Sequence, residues 1–229
     1  MPKRQKPSTI PYVHSSDSVS LILAPGLFLG PCSAASSKPF LTANAITDVL
    51  SVGSTPAQKI DGITYHRLSL TDSPSSSIAK VSDEACRIID SKKIGKAKEG
   101  KILVHCSAGI SRSPTLVVAY LMKAHNMSLK AALGRVVRVR PQVSPNAGFL
   151  GQLKELEEEI HGRVSLDVEE LPKREKDQLA LFSEDEKLDI AEEKEKGELP
   201  DPEDSDAASH LVGGEYVEAQ TKTDVNNTG

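Results

Sequence analysis

Along the first hundred residues the apolar positions fall in short blocks, each closed by glycine, proline or serine. Such blocks predict strands. "SLILAPGLFLG" (20–30) reads as strand, turn, strand, with Pro25-Gly26 at the turn. Residues 33–44 suit a short helix after Cys32. "ITDVLSVG" (46–53) reads as a buried strand closed by Gly53, and "ITYHRLSL" (63–70) as another. "TDSPSSS" (71–77) is a loop, because Pro74 and three serines do not continue a strand. From there the spacing changes. Apolar residues at 78, 81, 85, 88 and 89 predict a helix, followed by a turn rich in lysine (Lys92, Lys93, Lys96, Lys98). In "KILVHC" (101–106) three adjacent apolar residues predict a central parallel strand covered on both faces.

Three helical blocks come next. "SPTLVVAYLMKAHN" (113–126) is nearly all apolar, hence buried, with Ser113 as expected cap and Pro114 in the first turn. "SLKAALGRVVRVR" (128–140) is capped by Ser128 and stopped by Pro141. "SPNAGFLGQLKELEEEI" (144–160) has Ser144 as expected cap. The whole predicts an α/β domain of about 140–150 residues: a mixed sheet with helices on both faces, and further helices packed outside.

Composition changes this picture at the chain ends. Residues 1–163 carry 21 Lys+Arg against 12 Asp+Glu, while residues 164–229 carry 7 against 20. Segments such as "EEKEKGELPDPEDSDAAS" bury too little apolar surface to offset their ordering entropy. The expected organisation is a disordered N-terminus (1–18), a folded catalytic domain (19–162) and an acidic, largely disordered tail (163–229). Leu179, Leu181, Phe182, Leu188 and Ile190 suit a brief helix between residues 173 and 196. The basic folded part suits an anionic substrate.

The three cysteines, Cys32, Cys86 and Cys106, match no zinc spacing. No apolar run is long enough for a membrane span, and the first residues lack the apolar stretch of a signal peptide. Free thiols in the cytoplasm are therefore expected, and the basic cluster Lys3, Arg4, Lys6 would suit nuclear entry.

The chemistry concentrates in "VHCSAGISRSPT" (104–115). A buried strand ends at Cys106, Gly109 follows three residues later, and a helix begins near Ser113. A strand–loop–helix of this kind can turn the amides of Ser107, Ala108, Gly109, Ile110 and Ser111 inward, at the positive end of the helix. Arg112 would clamp a tetrahedral oxyanion in two-pronged fashion. The same positive field would lower the pKa of Cys106 and make it a nucleophile. A thiolate there would attack the phosphorus of a bound ester and give a cysteinyl-phosphate. Asp72, in the loop after a strand end, is the best candidate for the acid that protonates the leaving group and the base that then activates water. Ser113 is a hydroxyl donor for the departing thiolate, or else a plain helix cap. The scheme needs no metal or cofactor.

Other residues have plainer readings. His105, in a buried strand, is expected to support the loop by hydrogen bonding rather than to act as a base. His66 and His125 are expected to be structural, and Cys86 to fill the core. Cys32 or Cys86 as a disulfide partner of an oxidised Cys106 remains open on sequence alone.

"VHCSAGISRSPT" resembles the signature of the cysteine-based dual-specificity protein phosphatases, in their atypical form with a small catalytic domain. "LFLGP" is similar to the family's early strand, "LSLTDSP" to its acid loop, "VVAYLM" to the helix after the signature and "RVRPQVSPNAGFLGQL" to its closing helix, so the likeness covers residues 19–160. The resemblance implies a protein-tyrosine-phosphatase-like α/β fold, with a four- to five-stranded, mostly parallel sheet flanked by helices. It implies metal-free hydrolysis of phosphoserine, phosphothreonine and phosphotyrosine in protein partners, with Cys106 as nucleophile, Arg112 as phosphate ligand, Asp72 as general acid and Ser113 as loop hydroxyl. The loop interior has no lysine, which favours protein substrates over phosphoinositides. A non-protein substrate such as an RNA 5′-end, or a phospho-binding adaptor with little turnover, stays open. Neither a nucleic acid nor a membrane is an expected partner.

Overall fold

A computed structural model of the chain describes residues 18–92 and 100–182. The basic cluster at Lys3, Arg4 and Lys6, the lysines 93, 96 and 98, and the apolar pair Leu188 and Ile190 lie outside the described residues. The described strands are β1 (Ser20–Leu23), β2 (Leu27–Gly30), β3 (Asp48–Val52), β4 (Thr64–Leu68) and β5 (Ile102–His105). The helices are α1 (Lys38–Ala43), α2 (Ala79–Asp90), α3 (Arg112–His125), α4 (Leu129–Val139), α5 (Ala147–His161) and α6 (Glu175–Leu181), with a 3-10 turn at Ala34–Ser36.

The strands form one sheet in the order β1-β2-β5-β3-β4. β1 and β2 are antiparallel, joined through the Pro25-Gly26 turn, and the other pairings are parallel. The adjacent apolar residues of β5 explain its central place. Ile102 and Val104 enter the main core, while Leu103 enters a smaller cluster on the opposite face. A strand lacking either cover would leave such a run exposed.

The two faces are covered unequally. α2, α3, α4 and α5 pack their apolar stripes into one continuous core with Leu27, Leu29, Leu50 and Val52. On the other face the 3-10 turn and α1 cover the smaller cluster of Phe28, Ala34, Ala35, Leu41, Ile46, Val49 and Leu103. α3 lies deepest: every residue from Ser113 to Met122 is buried, as its nearly all-apolar sequence requires. The block at 63–70 proves to be an edge strand. Within β4 itself Leu68 is the one buried residue, and Thr64 and Arg67 are exposed.

Two expected helix caps move. Ser128 does cap α4, its hydroxyl accepting from Ala131 N at 3.2 Å. α5, however, is capped by Asn146 and not by Ser144: Asn146 Oδ1 accepts from Phe149 N at 3.0 Å. α3 begins at Arg112 with Ser111 at the cap position, so Ser113 lies in the first turn and is not a cap.

The folded chain also runs past the expected tail boundary at residue 163. Leu166, Leu171 and Phe182 join the main core. α6 holds buried Gln178, whose side-chain amide donates to Val143 O. Phe182 packs where Gly134 of α4 leaves room, since a Cβ there would come within 3.2 Å of its ring. Residues 163–182 therefore belong with the domain, and residues 183–229 lie outside the described part. No described helix is long and apolar enough to cross a membrane.

Candidate active site

The loop between β5 and α3 is shaped by what holds its carbonyl groups. Cys106 O accepts from His105 Nδ1 at 2.9 Å, and Ser107 O from Cys32 N at 3.0 Å. Ala108 O and Gly109 O accept from Arg140, through Nη2 at 2.9 Å and Nε at 2.8 Å. Ile110 O accepts from Ser144 N at 2.8 Å, and Ser111 O from Thr115 N at 3.1 Å. All six carbonyls from 106 to 111 are thus engaged from outside. In a planar trans peptide the N–H points opposite to the C=O. The amides from Ser107 to Arg112 therefore face the inside of the loop and form a nest for an anion.

Gly109 makes the tight turn possible. Its φ is +69°, and a Cβ would stand 2.5 Å from Gly30 O. A side chain there would be strained in the backbone and blocked in space.

Cys106 lies on the floor of this nest, 2% exposed. Gly109 N points at its Sγ from 3.3 Å. Burial pushes the thiol pKa up, but hydrogen bonds from the Ser113 hydroxyl and from the amides of Ser113, Gly109 and Ile110 outweigh it, and the net direction is down. The sequence ascribes this lowering to the positive end of the helix with a neighbouring cation; the groups that lower the pKa are the donors at that helix start, the Ser113 hydroxyl first, and not the Arg112 charge. Ser113 Oγ is itself buried with no hydrogen-bond partner, and it is the group that most favours the ionised Cys106 sulfur beside it.

Arg112 is fixed by its neighbour strand. Its Nη1 donates to Gly53 O at 2.7 Å. Gly53 has φ +62°, and a Cβ would stand 2.6 Å from that Nη1 and 2.1 Å from Leu70 O. Arg112 Nε is buried and makes no hydrogen bond, and Asp72 Oδ2 stands 3.5 Å away as an ion-pair partner. A buried, unsatisfied donor of a guanidinium is costly unless a ligand meets it.

Asp72 arrives from the loop between β4 and α2. Its Oδ1 accepts from Ser111 Oγ at 2.7 Å and from Asn146 Nδ2 at 2.9 Å. The structure therefore brings Cys106, Arg112, Asp72 and Ser113 together around one loop. Ser111 contributes its hydroxyl to Asp72 and not to the helix it precedes.

The histidines keep their plain readings. His105 is fully buried, with Nε2 2.8 Å from Ser51 Oγ and Nδ1 donating to Cys106 O; burial lowers its pKa. His66 pairs with Asp48 at 2.8 Å, and His125 packs edge-on against Tyr120. Cys86 packs against the main core, and burial raises its thiol pKa to about 11. Cys32, half-buried, has its pKa raised by burial and then by nearby Cys106. Among the described residues no group of three or more His, Cys, Asp or Glu side chains is placed to hold a metal ion.

Three residues of the site carry no obvious sequence signal. Arg140 falls at the end of the helical block before Pro141 with nothing local to mark it, yet it is 1% exposed and holds the loop. Gly53 reads as a strand terminator. Asn146 is passed over for Ser144 as the cap of α5, and its bond to Asp72 has no local signal either.

The chain is similar in sequence and fold to known proteins. The family model for the catalytic domain of dual specificity phosphatases matches residues 27–159. Dual specificity protein phosphatase 1 of Arabidopsis thaliana is 40% identical over 149 residues, which span 64% of this chain and 73% of that protein. Dual specificity protein phosphatase 1B of the same plant is 38% identical over 140 residues, spanning 61% of this chain and 82% of the relative. Among solved structures, a mouse putative dual specificity phosphatase complexed with zinc tungstate aligns with a TM-score of 0.58 at 27% identity, covering 69% of this chain and 96% of that one. Human DUSP28 aligns with a TM-score of 0.56 at 29% identity, covering 62% and 94%. With the loop from Cys106 to Arg112, the Asp72 loop and strands β2 to β5 all within the matched span, the chain belongs to the dual specificity phosphatase family.

Proposed function

We propose that this protein dephosphorylates phosphoserine, phosphothreonine and phosphotyrosine in protein substrates through a cysteinyl-phosphate at Cys106. The observation that carries the reading is the outward engagement of all six loop carbonyls, which turns the amides onto one point above the sulfur. That point suits the equatorial oxygens of a phosphoryl group, which the amides and Arg112 hold most strongly when charge builds in transfer. The tetrahedral oxyanion in the mouse relative's complex is of the same shape and charge type.

In the first step Cys106 Sγ attacks phosphorus and the P–O bond to the substrate breaks. Asp72 gives its proton to the leaving oxygen. In the second, water attacks phosphorus, Asp72 takes the water proton, and the S–P bond breaks. The Ser113 hydroxyl donates to the departing thiolate. The loop interior carries no lysine or second arginine, which suits a single monoester on a peptide better than a multiply charged inositol.

The test is turnover of phosphotyrosine and phosphothreonine peptides by the wild type and by Cys106→Ser. Turnover in the wild type, none in the variant, and peptide binding retained by both is the expected result. Equal, background-level rates would assign the site to phosphate binding without catalysis.

A further inference from the structure

Asp72 sits in a stretch without regular structure, from Ser69 to Ile78, between β4 and α2. Leu70 and Ile78 anchor its two ends in the main core, but Thr71, Pro74 and Ser75 between them are exposed, so the core does not hold the part that carries Asp72. A general acid must nonetheless stand within hydrogen-bond reach of the leaving oxygen, and a misplacement of about 1 Å can cost a factor of 100.

The support comes from one face of α5. Asn146, its cap, bonds to Asp72 itself. At Gly148 the backbone of Pro74 lies directly against the helix: a Cβ would stand 2.0 Å from Pro74 O and 2.4 Å from Pro74 Cα. Four residues on, and hence on the same helix face, Gln152 reaches the far end of the loop. Its Nε2 donates to Ser76 O at 2.9 Å and to Gly148 O at 3.1 Å, and its Oε1 accepts from Ile78 N at 2.9 Å. Ile78 is the cap residue of α2 and has no side-chain cap of its own, so Gln152 supplies the partner that the start of α2 lacks.

We propose that Gln152 is a positioning residue for the general acid: it fixes the acid loop at Ser76 and Ile78, with Gly148 seating Pro74, and so sets where Asp72 stands over the phosphate site. The inference rests on the reading of Asp72 as the acid. It does not touch the sulfur cradle, whose supports are Arg140, Ser144, Thr115, Cys32 and His105. A fault at Gln152 therefore weakens proton donation and leaves attack by the thiolate intact.

Leaving-group dependence separates the two. Phenyl phosphate needs a proton on its departing oxygen, whereas 2,4-dinitrophenyl phosphate does not. kcat/KM is measured on both esters for the full-length wild type, Gln152→Met and Asp72→Ala, since this ratio reports the step that breaks the P–O bond. Methionine keeps the length and helix preference of glutamine without its hydrogen bonds. Gln152→Met is expected to lose about tenfold on phenyl phosphate and less than about twofold on the dinitrophenyl ester. An equal loss on both esters, or none on either while Asp72→Ala shows the selective loss, overturns the positioning role and leaves the acid assignment standing. If Asp72→Ala itself shows no leaving-group selectivity, the acid assignment falls and the positioning role with it. Circular dichroism and the Tm of Gln152→Met, compared with the wild type, establish that the variant is folded, so that an equal loss on both esters counts against the positioning role.

Discussion

The sulfur cradle and the acid loop meet at Arg112, and they are held in different ways. In the cradle the functional groups are main-chain amides, aimed by carbonyls that Arg140, Ser144, Thr115, Cys32 and His105 engage from outside. Arg140, Cys106, His105 and Ser113 are all buried. In the acid loop the functional group is one exposed side chain, tied down by Ser111, Asn146 and, further along, Gln152. The difference teaches where each part can be altered. Backbone donors survive side-chain replacement within the loop but depend on its buried supports. The acid depends on a few side-chain contacts at the surface, which single substitutions remove.

The contrast predicts two signatures. A cradle variant should depress every substrate alike, because the amides and Arg112 stabilise the phosphoryl group whatever leaves. Arg112→Lys, which loses the planar fork and the bond to Gly53 O, is expected to lower kcat/KM by about 10³ on good and poor leaving groups equally. Selectivity between them would break the comparison. Asp72→Ala should lose about 10²–10⁴ on phenyl phosphate and little on the dinitrophenyl ester; a uniform loss would put Asp72 in the cradle's class.

Ser113→Ala gives the smallest effect and the sharpest one. The Ser113 hydroxyl is the largest of the hydrogen-bonding groups that favour the thiolate. Its removal raises the thiol pKa, so less of Cys106 is ionised on the acid side. The thiolate fraction there should fall about tenfold, and the deficit should vanish once the pH exceeds both pKa values. The rate of Cys106 alkylation against pH measures this without substrate. A variant whose acid limb does not move to higher pH would show that the amides alone set the pKa.

Legibility followed sequence separation. The strand at 102–105, Gly109 and the apolar helix after it lie within one short span, so their order implied the cradle. The supports lie far off: Arg140 is 31 residues from Gly109, Gly53 is 59 from Arg112, and Asn146 is 74 from Asp72. No local pattern distinguishes a solvated arginine from one folded under a loop. The cap of α3 was misassigned for a related reason. Both Ser111 and Ser113 suit the role by type, and the choice turned on where helical geometry begins and on Asp72 drawing away the Ser111 hydroxyl. The tail boundary also moved, because Phe182 needed the notch at Gly134 to be buried, and that notch is visible in the folded chain alone.

By itself the sequence determined the strand–loop–helix unit, the placing of Cys106 and Arg112 at its two ends, and the class of fold, since apolar spacing and glycine placement act on neighbouring residues. Tertiary structure decided which way the loop amides point, which donors lower the thiol pKa, and which helix supports the loop that carries Asp72. Those outcomes depend on hydrogen bonds between residues dozens of positions apart, and such bonds form after the sheet and its covering helices have brought the partners together.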